Sequence, residues 1–413
     1  MVEVPGQRAA IVLSGGGARG AYEAGVLSYL FDSIYPELPT GFEFDIVSGT
    51  SVGAIHAGYL AATSHLDPKV RSQAIVDTWQ DMVLDDVLRL RPSDWLTIPL
   101  RALGVDSFIP GLAEPAADRI GGLVDLSPLE RLVEERIPWK SLRENLASGR
   151  PGALCVGCTN IQSGRVTVFI DSEEFDGRAW ESDNYAEAIR AEISSHHVRA
   201  SAAIPFLFPA VRIGEDYYLD GGLRVNTPLS PALRLGADKA LVIGLKCEPG
   251  AERQSDATGA QHAITQPAFV LGKMLNVLIL DQIEHELRRI DTLNTILEAA
   301  SDELGSGCTD AITRAIQNKR GLEYRPVKTV VVRPSVDIGA IAAASYRKTG
   351  RGGRSRGLLP RALARTALHG VPEEEADLFS YLYFDAAFTQ PLIDLGREDA
   401  FMRHEEIVAL LTS

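Results

Sequence analysis

Three glycine-rich stretches carry the residues best suited to chemistry. The first is Gly49-Thr50-Ser51-Val52-Gly53, set between the apolar run at 44–47 and a segment of small residues that includes Ala54, Ala57 and Gly58. A Gly-X-Ser-X-Gly on a strand-to-helix turn is a nucleophile elbow. The turn is so tight that both flanking positions must lack side chains. The serine oxygen then projects at a helix N-terminus, where the helix dipole favours an oxyanion. The second stretch is Gly15-Gly16-Gly17-Ala18-Arg19-Gly20, directly after an apolar run at 9–14. A bare loop between strand and helix serves one of two ends, cradling a phosphate or stabilising a developing oxyanion. The third is Asp220-Gly221-Gly222, which follows Tyr217-Tyr218-Leu219.

The glycine loop matches Gly-X-Gly-X-X-Gly, so a dinucleotide site is a legitimate alternative. That site needs an acidic residue about 20 positions on, at the end of the next strand. The next strand ends instead in the serine elbow, and Glu37 and Glu43 lie before it or at its start. An oxyanion hole fits better. The amides of Gly16 and Gly17 would face Ser51 from the adjacent parallel strand, with Arg19 donating to the loop or fixing its shape.

A serine nucleophile needs a base. The chain order of ordinary hydrolases, serine then aspartate then histidine, leaves His262, His285, His369 and His404 as candidates. None has a persuasive setting: His285 lies in an amphipathic pattern and His262 in a polar stretch. An α/β-hydrolase also has several strands ahead of its elbow, and this chain has one. Asp220 is the better partner, a carboxylate held at a strand end by two glycines. Its ordinary pKa of about 3.9 makes it a weak base, and burial beside an apolar cleft would raise it.

These residues need a frame, and the pattern supplies an α/β one. Residues 8–63 read as strand, glycine loop, helix, strand over 44–48, sharp turn and helix. Strand patterns return at 152–160 and 165–170, a hairpin joins 210–213 to 217–220, and buried strands follow at 239–245 and 328–335. Residues 249–266 read as a polar linker. The helix after it repeats Ile283, Leu287, Ile290 and Leu297 at helical spacing. The strand at 328–335 ties the C-terminal region into the same sheet, so the expectation is one domain with a helical C-terminal part.

The chain has 413 residues, 45% of them hydrophobic, and a net charge of −14. That is ample for a large globular core, and the acidity argues against a nucleic-acid partner. The most apolar candidate span, residues 268–280, is too short to cross a membrane and carries Lys273 and Asn276. The N-terminus has no basic leader and its apolar run is too short for a signal peptide, so a cytoplasmic protein is expected, with a signal-less secretion route left open. Four cysteines make no disulfide framework. Cys155 and Cys158 are three apart in a strand pattern, so they face opposite sides and cannot share a metal.

The three motifs, in this order, resemble the patatin-like phospholipase family. So do the proline-framed approach to the third motif, residues 200–213, and the tail at 378–400, which resembles bacterial members. The resemblance implies a three-layer α/β/α fold with a mainly parallel central sheet and a helical C-terminal part. It divides the chain into a catalytic domain over 8–335 and a helical extension over 336–413 packed on it. It implies hydrolysis of acyl esters of phospholipids or related lipids by a Ser51–Asp220 dyad without histidine, cofactor or metal. Gly15, Gly16, Gly17 and Arg19 would form the oxyanion hole, and Gly20, Gly49, Gly53, Gly221 and Gly222 the motif glycines.

Two segments match nothing diagnostic in that family. Residues 91–128 are apolar and broken by prolines, with Trp95 and Phe108, and read as a cap over an acyl site. Residues 345–367 hold Arg347, Lys348, Arg351, Arg354, Arg356, Arg361 and Arg365 with no acid among them. That run is either a solvated loop balanced by Glu373, Glu374 and Glu375 or a peripheral contact for an anionic membrane.

Overall fold

Short runs of β-branched and small apolar residues bounded by turns form the strands, and several are buried along their whole length. That pattern belongs to parallel strands covered on both faces. A computed structural model of the chain describes residues 7–89, 124–181, 183–205, 208–224, 228–248, 270, 272–274, 276, 282–320, 326–349 and 376–413. The strands are β1 (Ala9–Leu13), β2 (Ile46–Thr50), β3 (Ala153–Asn160), β4 (Val166–Asp171), β5 (Ala186–Arg190), β6 (Val211–Ile213), β7 (Asp216–Asp220), β8 (Lys239–Ile243) and β9 (Lys328–Val332). Their order across the sheet is β5-β4-β3-β2-β1-β8-β9, with β7 joined to β3 and β6 to β7. The pairs from β3 through β2, β1 and β8 to β9 are parallel, as is β4 with β5. The pairs β3–β4, β3–β7 and β6–β7 are antiparallel.

Helices cover both faces. They are α1 (Gly20–Tyr29), α2 (Val52–Thr63), α3 (Pro68–Asp81), α4 (Ser127–Arg136), α5 (Trp139–Ala147), α6 (Ser195–Ser201), α7 (Leu229–Arg234), α8 (Gln282–Leu304), α9 (Ser306–Arg320), α10 (Ile338–Thr349), α11 (Asp377–Leu382), α12 (Ala386–Met402) and α13 (His404–Thr412). On one face Ile11, Leu13, Val47 and Val156 join the buried residues of α1 to α6 and α10 to α13. On the other, Ala10, Val12, Ile46 and Val242 pack with α7 and α8. The result is the three-layer α/β/α arrangement, mainly parallel in its sheet, that the sequence leads one to expect. Cys155 and Cys158 fall in the two different layers, as their odd spacing requires.

The C-terminal helices pack against the first helix. At the crossing of α1 and α12 the two backbones nearly touch. A Cβ on Gly25 would lie 2.2 Å from the Ile393 carbonyl oxygen, and one on Gly396 would lie 2.2 Å from that of Tyr22.

Two elements differ from expectation. β2 runs Ile46–Thr50 rather than 44–48, because its ladder with β3 continues to the pair Thr50–Gly157. β5 has no counterpart in the sequence reading; its half-exposed Ala-Glu-Ala-Ile-Arg edge lacks an apolar run. The cap segment at 91–123, the linker at 249–266 and the arginines at 351–365 lie outside the described residues. Within the described residues no helix is long and apolar enough to cross a membrane.

Candidate active site

The sheet itself brings Ser51 and Asp220 together. β2 and β7 both pair with β3, in adjacent registers. β2 reaches Thr50 opposite Gly157, and the antiparallel β7 reaches Asp220 opposite Cys158. Because β4 pairs with β3 across both registers, β2 and β7 share the other edge and meet end to end. The residue after one strand thus confronts the last residue of the other. The Ser51 hydroxyl donates to Asp220 Oδ2 at 2.7 Å.

The elbow is a tight backbone fit. A Cβ on Gly49 would lie 2.2 Å from the Gly53 carbonyl oxygen, and one on Gly53 would lie 2.4 Å from that of Leu13. Between them Ser51 has φ 56° and ψ −125°, and it is the one non-glycine residue with positive φ among the described residues. Holding such a geometry costs on the order of 1–3 kcal/mol and marks a site where orientation matters. Its amide donates to the Ser201 hydroxyl at 2.9 Å, which in turn donates to the Gly157 carbonyl at 2.6 Å. Ser201, at the end of α6, therefore fixes the elbow to β3. Sequence reasoning missed it, since a serine before two alanines carries no local signal.

Asp220 is 2% exposed and Ser51 5%. Burial raises the Asp220 carboxyl to about 6, against the opposing hydrogen bonds from Ser51 and from the Gly222 amide. That amide lies 2.7 Å from Oδ1, where the Gly221–Leu223 turn begins. The Asp220 amide donates to the Ala203 carbonyl, and the Thr159 hydroxyl donates to the Asp220 carbonyl. The carboxylate is fixed from every side and only moderately basic.

The glycine loop lies between β1 and α1. Gly15 opens it, Gly16 precedes a short turn over Gly17–Arg19, and Gly20 begins α1. Gly17 has φ +58°, and a Cβ there would lie 2.5 Å from the Tyr381 carbonyl oxygen. Gly17 and Ser51 line one cavity. Arg19 is 3% exposed, and its guanidinium points into α11 rather than to the loop, bonding Ser380 and Asp377.

That cavity has a volume of about 380 Å³, within the range of small-molecule sites. Ile55, Met82, Leu129, Ile204 and Phe208 make it apolar, while His56 and Trp79 also line it. His56 was not among the sequence candidates for a base. Its Nδ1 pairs with Glu23 at 2.8 Å and its Nε2 accepts the Trp79 indole N–H at 2.9 Å, so both ring nitrogens are engaged. Glu23 also accepts the Ser14 amide. Burial raises the Glu23 carboxyl, and His56 opposes the shift. Of the sequence candidates, His404 bonds Tyr29 and Glu37. His262, His369 and the side chain of His285 lie outside the described residues. Among the described residues no group of histidine, cysteine and acidic side chains could hold a metal.

A three-layer α/β/α fold thus places a strained serine directly after the C-terminal end of a central parallel strand. The family model for patatin-like phospholipases matches residues 11–233, more than half of the sequence. The chain belongs to the patatin-like phospholipase family, a family of lipid acyl hydrolases. Similar solved structures include VipD from Legionella pneumophila, at 15% identity over 94% of this chain and 67% of that one, with TM-score 0.31. Human GIVD cytosolic phospholipase A2 is 12% identical over 98% of this chain and 60% of its own, TM-score 0.42, so the chain spans under two thirds of its length. ExoU of Pseudomonas aeruginosa, in complex with SpcU, is 16% identical over 91% and 70%, TM-score 0.26. No match is found among curated protein sequences.

Proposed function

We propose that the protein hydrolyses fatty-acyl esters of phospholipids or related lipids with Ser51 as nucleophile and Asp220 as its base. The observation that carries this reading is the 2.7 Å hydrogen bond from Ser51 to a buried carboxylate at a strained elbow. In the first half-reaction the Ser51 oxygen bonds to the ester carbonyl carbon as its proton passes to Asp220. The negative charge develops on the former carbonyl oxygen. The Ser51 amide is engaged by Ser201, so donors for that charge come from the Gly15–Gly17 loop and the N-terminus of α2. Cleavage of the ester C–O bond returns the proton from Asp220 to the leaving alcohol. Water then attacks the acyl-enzyme while Asp220 takes its proton; breaking of the acyl–Ser51 bond returns that proton to the Ser51 oxygen, and the fatty acid leaves.

An apolar cavity beside Ser51 supports an acyl chain as the bound moiety. Nucleotide binding fits less well, because the electron-rich Tyr381 carbonyl lies against Gly17 where a pyrophosphate would approach. The test is to incubate the protein and Ser51→Ala with mixed phospholipids and identify released products by mass spectrometry. Fatty acid release by the parent alone is expected. Equal release by both proteins overturns the mechanism.

A further inference from the structure

A buried arginine beside a loop of three glycines calls for an explanation. Arg19 ends the turn that carries Gly17, and its partners Asp377 and Ser380 lie 358 and 361 positions away in α11. Nε donates to the Ser380 hydroxyl at 2.8 Å, and Nη2 lies 3.2 Å from Asp377 Oδ1. The guanidinium stacks 4.2 Å over the Tyr381 ring. The Ser380 hydroxyl donates onward to the Asp377 carbonyl at 2.6 Å, and Lys273 holds Asp377 Oδ2 at 3.0 Å. Burial opposes charge on Asp377, yet Arg19 and Lys273 together hold its carboxyl below the usual range. The acid is therefore ionised at neutral pH and pinned between two cations.

The other end of the loop is held separately. The Ser14 amide donates to Glu23 at 2.7 Å and its hydroxyl donates to the Ile243 carbonyl at 2.8 Å. Between these anchors, Gly15, Gly16 and Gly17 have no side chains with which to fix themselves. Glycine is the residue that loses the most conformational freedom on ordering. The α11 backbone closes on the loop at Gly17 through the Tyr381 carbonyl. The same helix gives Tyr381 and Leu382 to the cavity, and Phe384 follows them.

We propose that Asp377 and Ser380 are positioning residues for hydrolysis: through Arg19 they set the glycine loop that receives the developing oxyanion, so the catalytic unit is incomplete without α11. This rests on the Ser51–Asp220 reading above. It also moves the functional boundary past residue 335, into a segment beyond the matched family region.

The full chain is compared with Asp377→Asn, Asp377→Glu, Ser380→Ala and Ser51→Ala, at a temperature where circular dichroism finds each folded. Two rates are read, hydrolysis of a soluble short-chain p-nitrophenyl ester and labelling of Ser51 by a fluorophosphonate. Asp377→Asn should lower kcat about 10- to 100-fold, the scale of losing or misplacing an oxyanion donor. KM should stay within about 2-fold, since ground-state binding is untouched. Labelling should slow in parallel, because phosphonylation builds charge on the same oxygen. Asp377→Glu should recover much of the rate, and Ser380→Ala should fall in between. A role confined to stability would lower the melting temperature and leave both rates alone. Folded Asp377→Asn or Ser380→Ala with parental kcat and labelling overturns the proposal, and if Asp377→Asn does not fold, Ser380→Ala decides. Parental turnover in Ser51→Ala would overturn the dyad reading instead.

Discussion

The two glycine motifs at this site are held in opposite ways. The elbow closes mainly on backbone: Gly49 packs on Gly53, Gly53 packs on Leu13, and the single hydroxyl of Ser201 ties the serine amide to β3. The loop at Gly15–Gly17 is held from outside, by Glu23 at one end and by α11 at the other. A motif that closes on its own backbone can be recognised wherever it occurs. One that leans on distant side chains looks the same in sequence whether or not the support exists.

The dyad is the place to break that comparison most severely. Ser51→Ala should abolish fluorophosphonate labelling and lower kcat by about 10⁴-fold or more, in line with losses of other covalent nucleophiles. Asp220→Asn should lose nearly as much, because the amide keeps the shape but cannot take the proton. The same change should stabilise the fold at alkaline pH. An acid whose folded pKa lies above its unfolded value favours the folded state at low pH, and that contribution is lost as pH rises through about 6. Removing the buried charge should therefore gain up to about 3 kcal/mol at pH 8 and little at pH 4. Thermal melts at the two pH values, run beside the kinetics, check this.

The glycines separate the two kinds of support. Gly53→Ala puts a Cβ 2.4 Å from the Leu13 carbonyl oxygen, so β1 and the elbow must part and the fold should lose about 3 kcal/mol. Gly17→Ala meets a φ of +58° and the Tyr381 carbonyl at 2.5 Å. It should lose at least as much stability, since a left-handed penalty of about 1–2 kcal/mol adds to the backbone clash, and lose about 100-fold in kcat as the loop shifts. A folded Gly17→Ala with parental kcat would erase the distinction.

Titration gives a gentler probe. If Asp220 is the base, the rate for a soluble ester should rise with pH through about 6 and level off above 7, because only an ionised carboxyl can take a proton. At pH 5 the rate should be about a tenth of its plateau. The smallest effect on chemistry is expected from His56→Asn. Both ring nitrogens serve Glu23 and Trp79, so its loss should lower the melting temperature while kcat stays within a few-fold. An inactive but stable His56→Asn would make the histidine a participant.

What could be read in the sequence follows the same division. The elbow, the loop and the Asp-Gly-Gly turn are local patterns, and each sits where its residue types require. Most strands were legible because parallel strands buried on both faces are continuous apolar runs. β5 was not, since an edge strand of alternating alanine and charge carries little contrast. Ser201, Glu23, His56, Asp377 and Ser380 were invisible for a different reason. Each acts through a partner that only the folded topology brings near, such as the end-to-end meeting of β2 and β7 on one edge of β3. Arg19 lies between the two cases: its motif drew notice, and its direction did not follow from the motif.

The notch between α1 and α12 has a consequence for the order of events in biosynthesis. Gly25 and Gly396 admit each other's backbones only after α12 has been made. A ribosome releases residues in sequence, so the first helix emerges long before the neighbour that covers it. Contacts of such long sequence separation form late and slowly. Ser51 and Asp220 are both synthesised well before α12, and the first helix gains its cover only after both. The arrangement of this enzyme is thus timed by its own connectivity, with the first helix covered by one made long after it.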